Sequence, residues 1–439
     1  MKISNTFFRS LLSVDLIILI VASIPVGLWV LAPHTAINAM GAGDALTAVG
    51  QVFGLFGISL FAINLVLSAR LHWVEYLFRG LNRMYIQHSR YGQIAFIALL
   101  FHPLLLAVQY SGGTFYGVIQ FLLPNSSVAM DFGIIGLGSM LFLIVLTLYL
   151  RPKYNIWKWT HKFFGFAFFL GALHVFLIPS TTQLFMPLRV YVLGLCAVGL
   201  IAFIYRTLLG RFFVKTYPYT VSNVEQLNDF VTRIQMKPVA QRVVYAAGQF
   251  VFVSFSDARV GKESHPFSLV SSPDQDTLEL AVKNLGDYTE RIPQLAVGSV
   301  VSIEGPYGTF FSGRAESATH VWIAGGIGIT PFIGKARSLT PGEGPAVVLL
   351  YCVKNDEEAV YLDELRAIQE SSGGTFRVQL FCYDAEGFIT GAYIAKASGG
   401  INDIDFYLCA PPVMINALKQ QLVKEGASPR VIHSEEFNF

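Results

Sequence analysis

Charge and cysteine are both scarce in this chain. Charged residues make up 14% of its 439 residues, whereas an ordinary soluble domain has about a quarter. The net charge is +2 and no basic stripe is present, which argues against a nucleic-acid partner. The four cysteines show no CxxC or zinc-type spacing, so disulfides and a structural zinc site are not expected. No EF-hand loop is found, so calcium control is not expected either.

Long hydrophobic runs are abundant, and they are concentrated in the first half of the chain. Hydrophobic residues make up 53% of the whole, and residues 1–210 contain the excess. Runs of this length cross a bilayer as helices, and they lie at about 10–32, 46–69, 90–109, 129–150, 162–179 and 187–208. The first run is longer than a signal-peptide core and lacks a clear cleavage site, so we predict a membrane helix there.

Basic residues alternate between the connections, which predicts the orientation. They occur in the N-terminus, in the second and fourth connections and after the sixth run: Lys2, Arg9, Arg70, Arg79, Arg83, Arg90, Arg151, Lys153, Lys158, Arg206, Arg211 and Lys215. The first and third connections have none. By the positive-inside rule we expect a multi-pass protein of the inner (plasma) membrane with both termini in the cytoplasm.

Four histidines bracket the third and fifth runs in two pairs, His88 with His102 and His161 with His174. An imidazole in hydrocarbon is costly and indicates function. A haem iron takes one imidazole from each of two helices, so two stacked haems are predicted. The alternative is that they are polar residues at helix ends, which explains a single histidine better than two matched pairs.

The spacing within each pair can be compared with helix geometry. His88 and His102 are 14 positions apart, about 21 Å of rise on one helix face. His161 and His174 are 13 apart, which predicts a local rewinding, at Gly165 or Gly171, or haems at different azimuths. In the predicted orientation His88 and His161 bind the inner haem, and His102 and His174 the outer one.

The second half has ordinary globular composition and two patterns. Residues 211–315 contain short strands separated by polar turns, which predicts an antiparallel β-barrel. Within them, HPFSLVSSP at 265–273 offers an aromatic ring beside a small hydroxyl, and a flavin needs both an apolar flank and a hydrogen-bonding group near its reactive nitrogen.

Residues 316–439 alternate strands with helices, which predicts a doubly wound α/β domain. VWIAGGIGITPFI reads as strand, glycine turn and helix start, with Gly325, Gly326, Gly328 and Thr330 placed to receive a pyrophosphate. The full GxGxxG pattern is absent, and ordinary turn chemistry is the alternative explanation.

These motifs together resemble the bacterial members of the NADPH oxidase and ferric reductase superfamily. The membrane motifs are RGLNRMYIQHSRYG, LLFHPLLL and WTHKFFG, and the later ones are GQF, HPFSLVSS, GDYT, GPYG, GGIGITP and YLCAPP, in the family's order. The resemblance covers the whole chain. It implies a six-helix bis-haem domain at 1–210, a FAD domain at 211–315 and an NAD(P)H domain at 316–439.

The resemblance also implies roles for the FAD-site residues. In the HPFS motif, which includes Pro266, His265 would contact the FAD phosphate, Phe267 would flank the isoalloxazine and Ser268 would approach its N5. Gly286 and Thr289 of GDYT would support the FAD diphosphate.

For the nicotinamide nucleotide, the glycine turn would hold the diphosphate, and Cys409 would lie near the nicotinamide. A C-terminal aromatic, Phe439 or else Phe437, would close the flavin face. Two departures are seen. The family's CGP is Cys409-Ala410-Pro411 here, and Lys354 stands where many NADPH users have arginine. Lysine binds a 2′-phosphate as a point charge, so NADPH is expected over NADH.

The expected function is transfer of electrons from cytoplasmic NAD(P)H through FAD and two b-type haems to an acceptor outside. Oxygen, giving superoxide, is favoured because the complete fusion resembles the bacterial oxidases. A ferric-chelate reductase shares every motif, and Leu106 stands one turn after His102 where some oxidases have histidine. A third alternative is an electron-supplying subunit for a periplasmic redox partner.

Overall fold

The computed structural model describes residues 6–33, 45–111, 114–124, 127–150, 152–312 and 317–435. The chain forms two compact units. The first ends at Val214, and the second consists of the residues from Lys215 onward together with the short segment Arg79–Asn82. The predicted limit between the FAD and NAD(P)H domains, 315/316, lies outside the described residues.

The first unit is helical. Its helices are α1 (Thr6–Leu31), α2 (Ala45–Ser68), α3 (His72–Phe78), α4 (Leu81–Tyr110), α5 (Phe115–Phe121), α6 (Val128–Val145), α7 (Tyr154–His161), α8 (Phe163–Leu177), α9 (Thr181–Leu184), α10 (Met186–Phe203) and α11 (Gly210–Phe213). Wider π-helical turns extend α6 and α10 to Leu150 and Leu208.

Six membrane-length apolar segments occur within the described ranges, in agreement with the six predicted spans: Val14–Leu31, Ala45–Ser68, Leu81–Tyr110, Val128–Leu150, Asn155–Leu177 and Met186–Leu208. The third begins at Leu81, nine positions before the predicted start at Arg90. Its first turns carry polar residues, yet Leu81 and Met84 are fully buried, so burial of one face stabilises helix beyond the apolar run.

Glycines allow α2 and α4 to approach closely. A Cβ at Gly57 would lie 2.8 Å from Leu99 Cγ, and one at Gly50 would lie 3.2 Å from both His102 O and Leu106 Cδ2. Small residues at such a seam bring helix backbones together in a membrane. Leu106 therefore packs against α2.

The second unit begins with an antiparallel sheet of β1 (Thr216–Asn228), β2 (Val231–Pro238), β3 (Phe250–Phe255), β4 (Ser264–Ser268), β5 (Leu278–Lys283) and β6 (Val300–Tyr307). The strand order is β4-β3-β6-β1-β2-β5. The sheet curls into a half-barrel around a core that includes Tyr219, Ile234, Val253 and Ile303. This confirms the predicted antiparallel architecture.

A parallel sheet follows, built from β7 (Thr319–Gly325), β8 (Ala346–Val353), β9 (Phe376–Cys382), β10 (Ile404–Cys409) and β11 (Ile432–Glu435). Its helices are α12 (Thr330–Ala336), α13 (Leu362–Ser371), α14 (Tyr383–Glu386), α15 (Gly391–Ala397) and α16 (Pro412–Lys424). The order β9-β8-β7-β10-β11 confirms the doubly wound prediction. The strands are nearly all apolar because both sheet faces are covered.

Arg337 joins the two sheets of the second unit. Directly after α12, its Nη2 lies 3.2 Å from Glu279 Oε1 on β5 and its Nε lies 2.6 Å from Glu364 Oε1 on α13. Its Nη1 donates to Val270 O at 3.0 Å. Paired and hydrogen-bonded on three sides, the guanidinium fixes the parallel sheet against the half-barrel.

Candidate cofactor sites

The structure brings each predicted histidine pair together. The ring centres of His88 and His161 are 6.2 Å apart, and those of His102 and His174 are 6.3 Å apart. Two imidazoles that bind one metal from opposite sides place their ring centres roughly 6 Å apart, because each metal–nitrogen bond is about 2 Å long. Both separations therefore fit one iron atom between the rings.

Backbone carbonyls orient three of these rings. Nδ1 lies 2.7 Å from Gly50 O in His102, 2.8 Å from Ala129 O in His174 and 3.1 Å from Asn64 O in His88. We assign the proton to Nδ1, which donates to the carbonyl and leaves the Nε2 lone pair for a metal.

His161 differs from the other three, because its buried Nδ1 has no hydrogen-bond partner. Its ring instead lies against Trp157 and Phe164, with ring centres 5.1 Å and 4.9 Å away. This asymmetry was not predicted, since it depends on which carbonyls the neighbouring helices present.

The rewinding expected between His161 and His174 occurs at Lys162, and not at Gly165 or Gly171 as predicted. Helix α7 ends at His161, Lys162 N donates to Trp159 O at 3.2 Å, and Gly165 N donates to Lys162 O at 3.2 Å. These three-residue bonds tighten the turn and rotate α8 relative to α7. As a result, His161 at the end of α7 and His174 on α8 can both face α4.

Two glycines, also not predicted, make room for the outer pair. A Cβ at Gly54 of α2 would lie 2.7 Å from His102 Nδ1, and a Cβ at Gly133 of α6 would lie 2.8 Å from His174 Nδ1. Within the described ranges, no group of three or more histidine, cysteine or carboxylate side chains could hold a metal. Each pair offers two imidazoles at the ring separation that one iron needs, 6.2 Å and 6.3 Å, and haem iron accepts histidine ligands, so the residues fit two haems.

The HPFS motif forms β4, and the structure places it beside GDYT. The His265 ring stacks on Tyr288 with ring centres 4.0 Å apart, and its Nε2 lies 3.1 Å from Glu263 Oε2. Phe267 packs on the half-barrel core and Ser268 is buried. The stacking role of Tyr288 was not predicted.

The GDYT turn is held by its own threonine. Thr289 Oγ1 accepts from Leu285 N at 2.9 Å and from Gly286 N at 3.0 Å. A Cβ at Gly286 would have no neighbour within 4 Å. The turn is therefore ordered, and space is open beside Gly286. Binding of the FAD diphosphate at this turn stays a prediction.

The glycine turn after β7 lies against the end of β10. A Cβ at Gly328 would lie 2.0 Å from Cys409 O, and one at Gly325 would lie 2.7 Å from Ala410 Cβ. Gly326 has a φ of +56° and leads through a 3₁₀ turn to Thr330, the first residue of α12. The order of strands reverses between β7 and β10, which is where such sheets bind dinucleotides.

Cys409 is buried at this crevice, 1% exposed. Burial, and then the charge of Glu435, raise the pKa of its thiol well above its usual value. The thiol is therefore neutral, which suits a packing surface better than a nucleophile. Phe439 and Phe437 lie outside the described residues.

Lys354 is exposed directly after β8, beside a cavity of about 350 Å³. The other lining residues are Asn355, Asp356, Glu357, Cys382, Asp384 and Ala385. Of this set, only Lys354 is a candidate from the sequence alone.

Three protein families match consecutive parts of the chain. Residues 53–172 match the ferric reductase like transmembrane component, residues 216–310 a FAD-binding domain, and residues 322–420 the oxidoreductase NAD-binding domain. The predicted membrane, FAD and NAD(P)H parts therefore occur in the predicted order.

Curated relatives match about half of the chain. The toluate 1,2-dioxygenase electron transfer component of Pseudomonas putida is 26% identical over 238 residues, which are 50% of this chain and 67% of that protein. The ferredoxin reductase component of 3-ketosteroid-9-alpha-monooxygenase from Rhodococcus rhodochrous is 26% identical over 203 residues, 45% of this chain and 57% of that protein. The chain thus spans little more than half the length of the second relative.

Among solved structures, the Amycolatopsis cytochrome P450 reductase GcoB has 27% sequence identity and a TM-score of 0.46, covering 51% of this chain and 70% of that one. Together, the three family matches have the arrangement of a ferric-reductase/NADPH-oxidase-like fusion, in which a transmembrane domain precedes a ferredoxin-reductase-type oxidoreductase.

Proposed function

We propose that this protein moves electrons from cytoplasmic NAD(P)H through FAD and two b-type haems to an acceptor outside, which is oxygen giving superoxide. The two histidine pairs carry the proposal. Each has the ring separation of a bis-imidazole iron, 6.2 Å and 6.3 Å. They are offset by 14 positions along α4, about 21 Å, in a chain that also carries FAD- and NAD-binding domains.

Hydride entry belongs to the crevice between β7 and β10. Without a Cβ, Gly328 packs directly against Cys409 O, which fixes the glycine turn at the end of β10. A pyrophosphate could approach the bare glycine backbone of this turn, and the neutral Cys409 would lie beside the nicotinamide. Bound FAD would accept a two-electron hydride and release electrons singly, which haem iron accepts. His265 and Tyr288, stacked on each other, would hold its phosphate end, with Phe267 and Ser268 at its ring.

The outer pair determines how the acceptor is reduced. His102 and His174 would hold the outer haem as its two protein ligands, and the group would supply single electrons to an acceptor that does not bind its iron. One NAD(P)H supplies two electrons, which reduce two oxygen molecules to two superoxide ions, and one proton stays in the cytoplasm. We expect a hexacoordinate, low-spin haem spectrum, and a high-spin spectrum would contradict four histidine ligands.

Oxygen is distinguished from ferric chelate by direct comparison. Purified, haem-loaded protein with added FAD is given NADH or NADPH and oxygen as the sole acceptor, and superoxide is followed with a dismutase-sensitive probe. Near-stoichiometric superoxide supports the oxidase. Haems that stay reduced in oxygen but turn over with ferric chelate would make the protein a ferric reductase. Copurification of a periplasmic redox protein would favour the subunit alternative.

Replacing a histidine of the outer pair should separate electron transfer to the external acceptor from hydride transfer to the flavin. His102→Leu should remove the outer haem and stop transfer to the external acceptor, while dye reduction by the flavin half continues. Ile97→Ala, at a 52% exposed position on the same helix, is the matched control and should retain both activities. Loss of both activities in His102→Leu alone would contradict the assignment.

A further inference from the structure

We propose that the hydride donor is NADH, selected by carboxylates at the ends of β8 and β9 that repel the 2′-phosphate of NADPH. The inference rests on the proposed function, whose hydride donor it specifies. It differs from the expectation based on Lys354 alone.

The topology places the adenosine ribose at these loops. The glycine turn follows β7, and in a sheet of order 3-2-1-4-5 the ribose next to the adenine lies at the carboxyl end of the neighbouring strand. That neighbour is β8. Strands β8 and β9 are parallel, with Val353 paired to Cys382, so the residues that follow both strands meet at one edge. The cavity of about 350 Å³ lies there.

The cavity carries more negative than positive charge. One cation, Lys354, and three carboxylates, Asp356, Glu357 and Asp384, line it. Asp384 N donates to Lys354 O at 3.2 Å, which ties the two loops together. A 2′-phosphate would bring a charge of about −1.5 to −2 into this set. The neutral 2′-hydroxyl of NADH can instead donate a hydrogen bond to a carboxylate.

Cys382 lies among the carboxylates at this edge of the sheet. Its Sγ lies 3.0 Å from Asp356 Oδ1, and its backbone N–H donates to Glu386 Oε1 at 3.2 Å. The hydrogen bond to Asp356, then burial, then the charges of Asp356, Glu386 and Asp384 raise the pKa of this thiol to about 11. The 2′-phosphate of NADPH would be a further anion at this edge, and these carboxylates would repel it in spite of Lys354.

The donor is tested without any external acceptor. The full-length holoenzyme is mixed anaerobically with NADH or NADPH, and the loss of reduced-coenzyme absorbance gives a second-order rate constant for each. NADH should be faster by about tenfold or more at low salt, and the difference should shrink as salt screens the carboxylates. Equal rates, or a faster reaction with NADPH, would overturn the inference while leaving the electron route intact. Failure of both coenzymes would instead contradict hydride entry itself.

Variants show whether the carboxylates cause the preference. Asp356→Asn and Asp384→Asn should each lower the ratio of the NADH rate constant to the NADPH rate constant by about threefold or more. The double variant should lower it further. Asp363→Asn removes a fully exposed carboxylate of α13 that does not line the cavity, and it should leave the ratio unchanged. A preference for NADH that survives the double variant would show that these carboxylates do not select the donor.

Discussion

At the residue scale, the four proposed ligand histidines differ in what holds the second ring nitrogen. Carbonyl oxygens accept from Nδ1 in His88, His102 and His174, whereas the buried Nδ1 of His161 has no partner. An outer hydrogen bond orients a metal-bound imidazole and makes it a stronger ligand. The inner pair is therefore expected to hold its haem less tightly.

Single-haem variants test this difference. His102→Leu should retain only the inner haem, and His88→Leu only the outer one. Because losing an outer hydrogen bond typically weakens metal affinity by about ten- to a hundredfold, haem should transfer from His102→Leu to excess apomyoglobin about tenfold faster or more. The transfer is followed by the Soret bands of the variant and of the myoglobin that forms. Similar rates, or faster loss from His88→Leu, would contradict a weaker His161.

The pH dependence of alkylation tests the field at Cys382. Its pKa of about 11 means that iodoacetamide should react slowly near neutral pH and faster as the pH approaches 11. In Asp356→Asn the main cause of the raised pKa is gone, so the midpoint should fall toward the usual value of about 8.5. Mass spectrometry locates the label, since the other three cysteines are buried. An unchanged midpoint in Asp356→Asn would exclude its carboxylate as the cause.

The histidines could be predicted from the sequence, but their neighbours could not. A polar ring inside an apolar run stands out because burying it needs a reason. Gly54 and Gly133 do not stand out, because glycine is common in membrane helices and only the packed structure shows which ring lies opposite. The same applies to Asp384, which comes next to Asp356 only through the pairing of β8 with β9.

At the element scale, two helices differ from their predicted limits. Helix α4 begins at Leu81 because its early turns bury one face, which an apolar run does not reveal. The fifth span is divided at Lys162 into α7 and α8. The odd spacing of His161 and His174 predicted a rewinding, but its position depends on local hydrogen bonds.

Helix α6 offers a matched pair of glycines for testing how the outer haem is seated. A Cβ at Gly133 would lie 2.8 Å from His174 Nδ1, whereas one at Gly138 would have no neighbour within 4 Å. Gly133→Ala should displace the imidazole and lower the haem content from two toward one per chain, as a pyridine haemochrome assay measures. Gly138→Ala should keep two. Full haem content in Gly133→Ala would show that the ring can move aside without losing its metal.

At the scale of the whole molecule, composition predicted the division into a membrane half and a globular half, and periodicity predicted both sheets. The orientation predicted from the basic connections can be tested in intact cells. Gln183→Cys, exposed between α8 and α10, should react with a membrane-impermeant maleimide. Lys262→Cys, exposed in the half-barrel, should react only after the cells are opened. The reverse labelling pattern would contradict the cytoplasmic location of the termini.

The offset of the two histidine pairs has an electrical consequence. About 21 Å of helix rise is some two thirds of a ~30 Å hydrocarbon core, so each outward electron carries a unit of negative charge through much of the membrane's voltage drop. A full crossing is worth about 2.3 kcal/mol per 100 mV, and an inside-negative potential favours it. In the proposed electron route, each turnover would depolarise the cell and leave a proton behind. Continued turnover therefore needs a compensating proton current, and in sealed vesicles a protonophore should accelerate it.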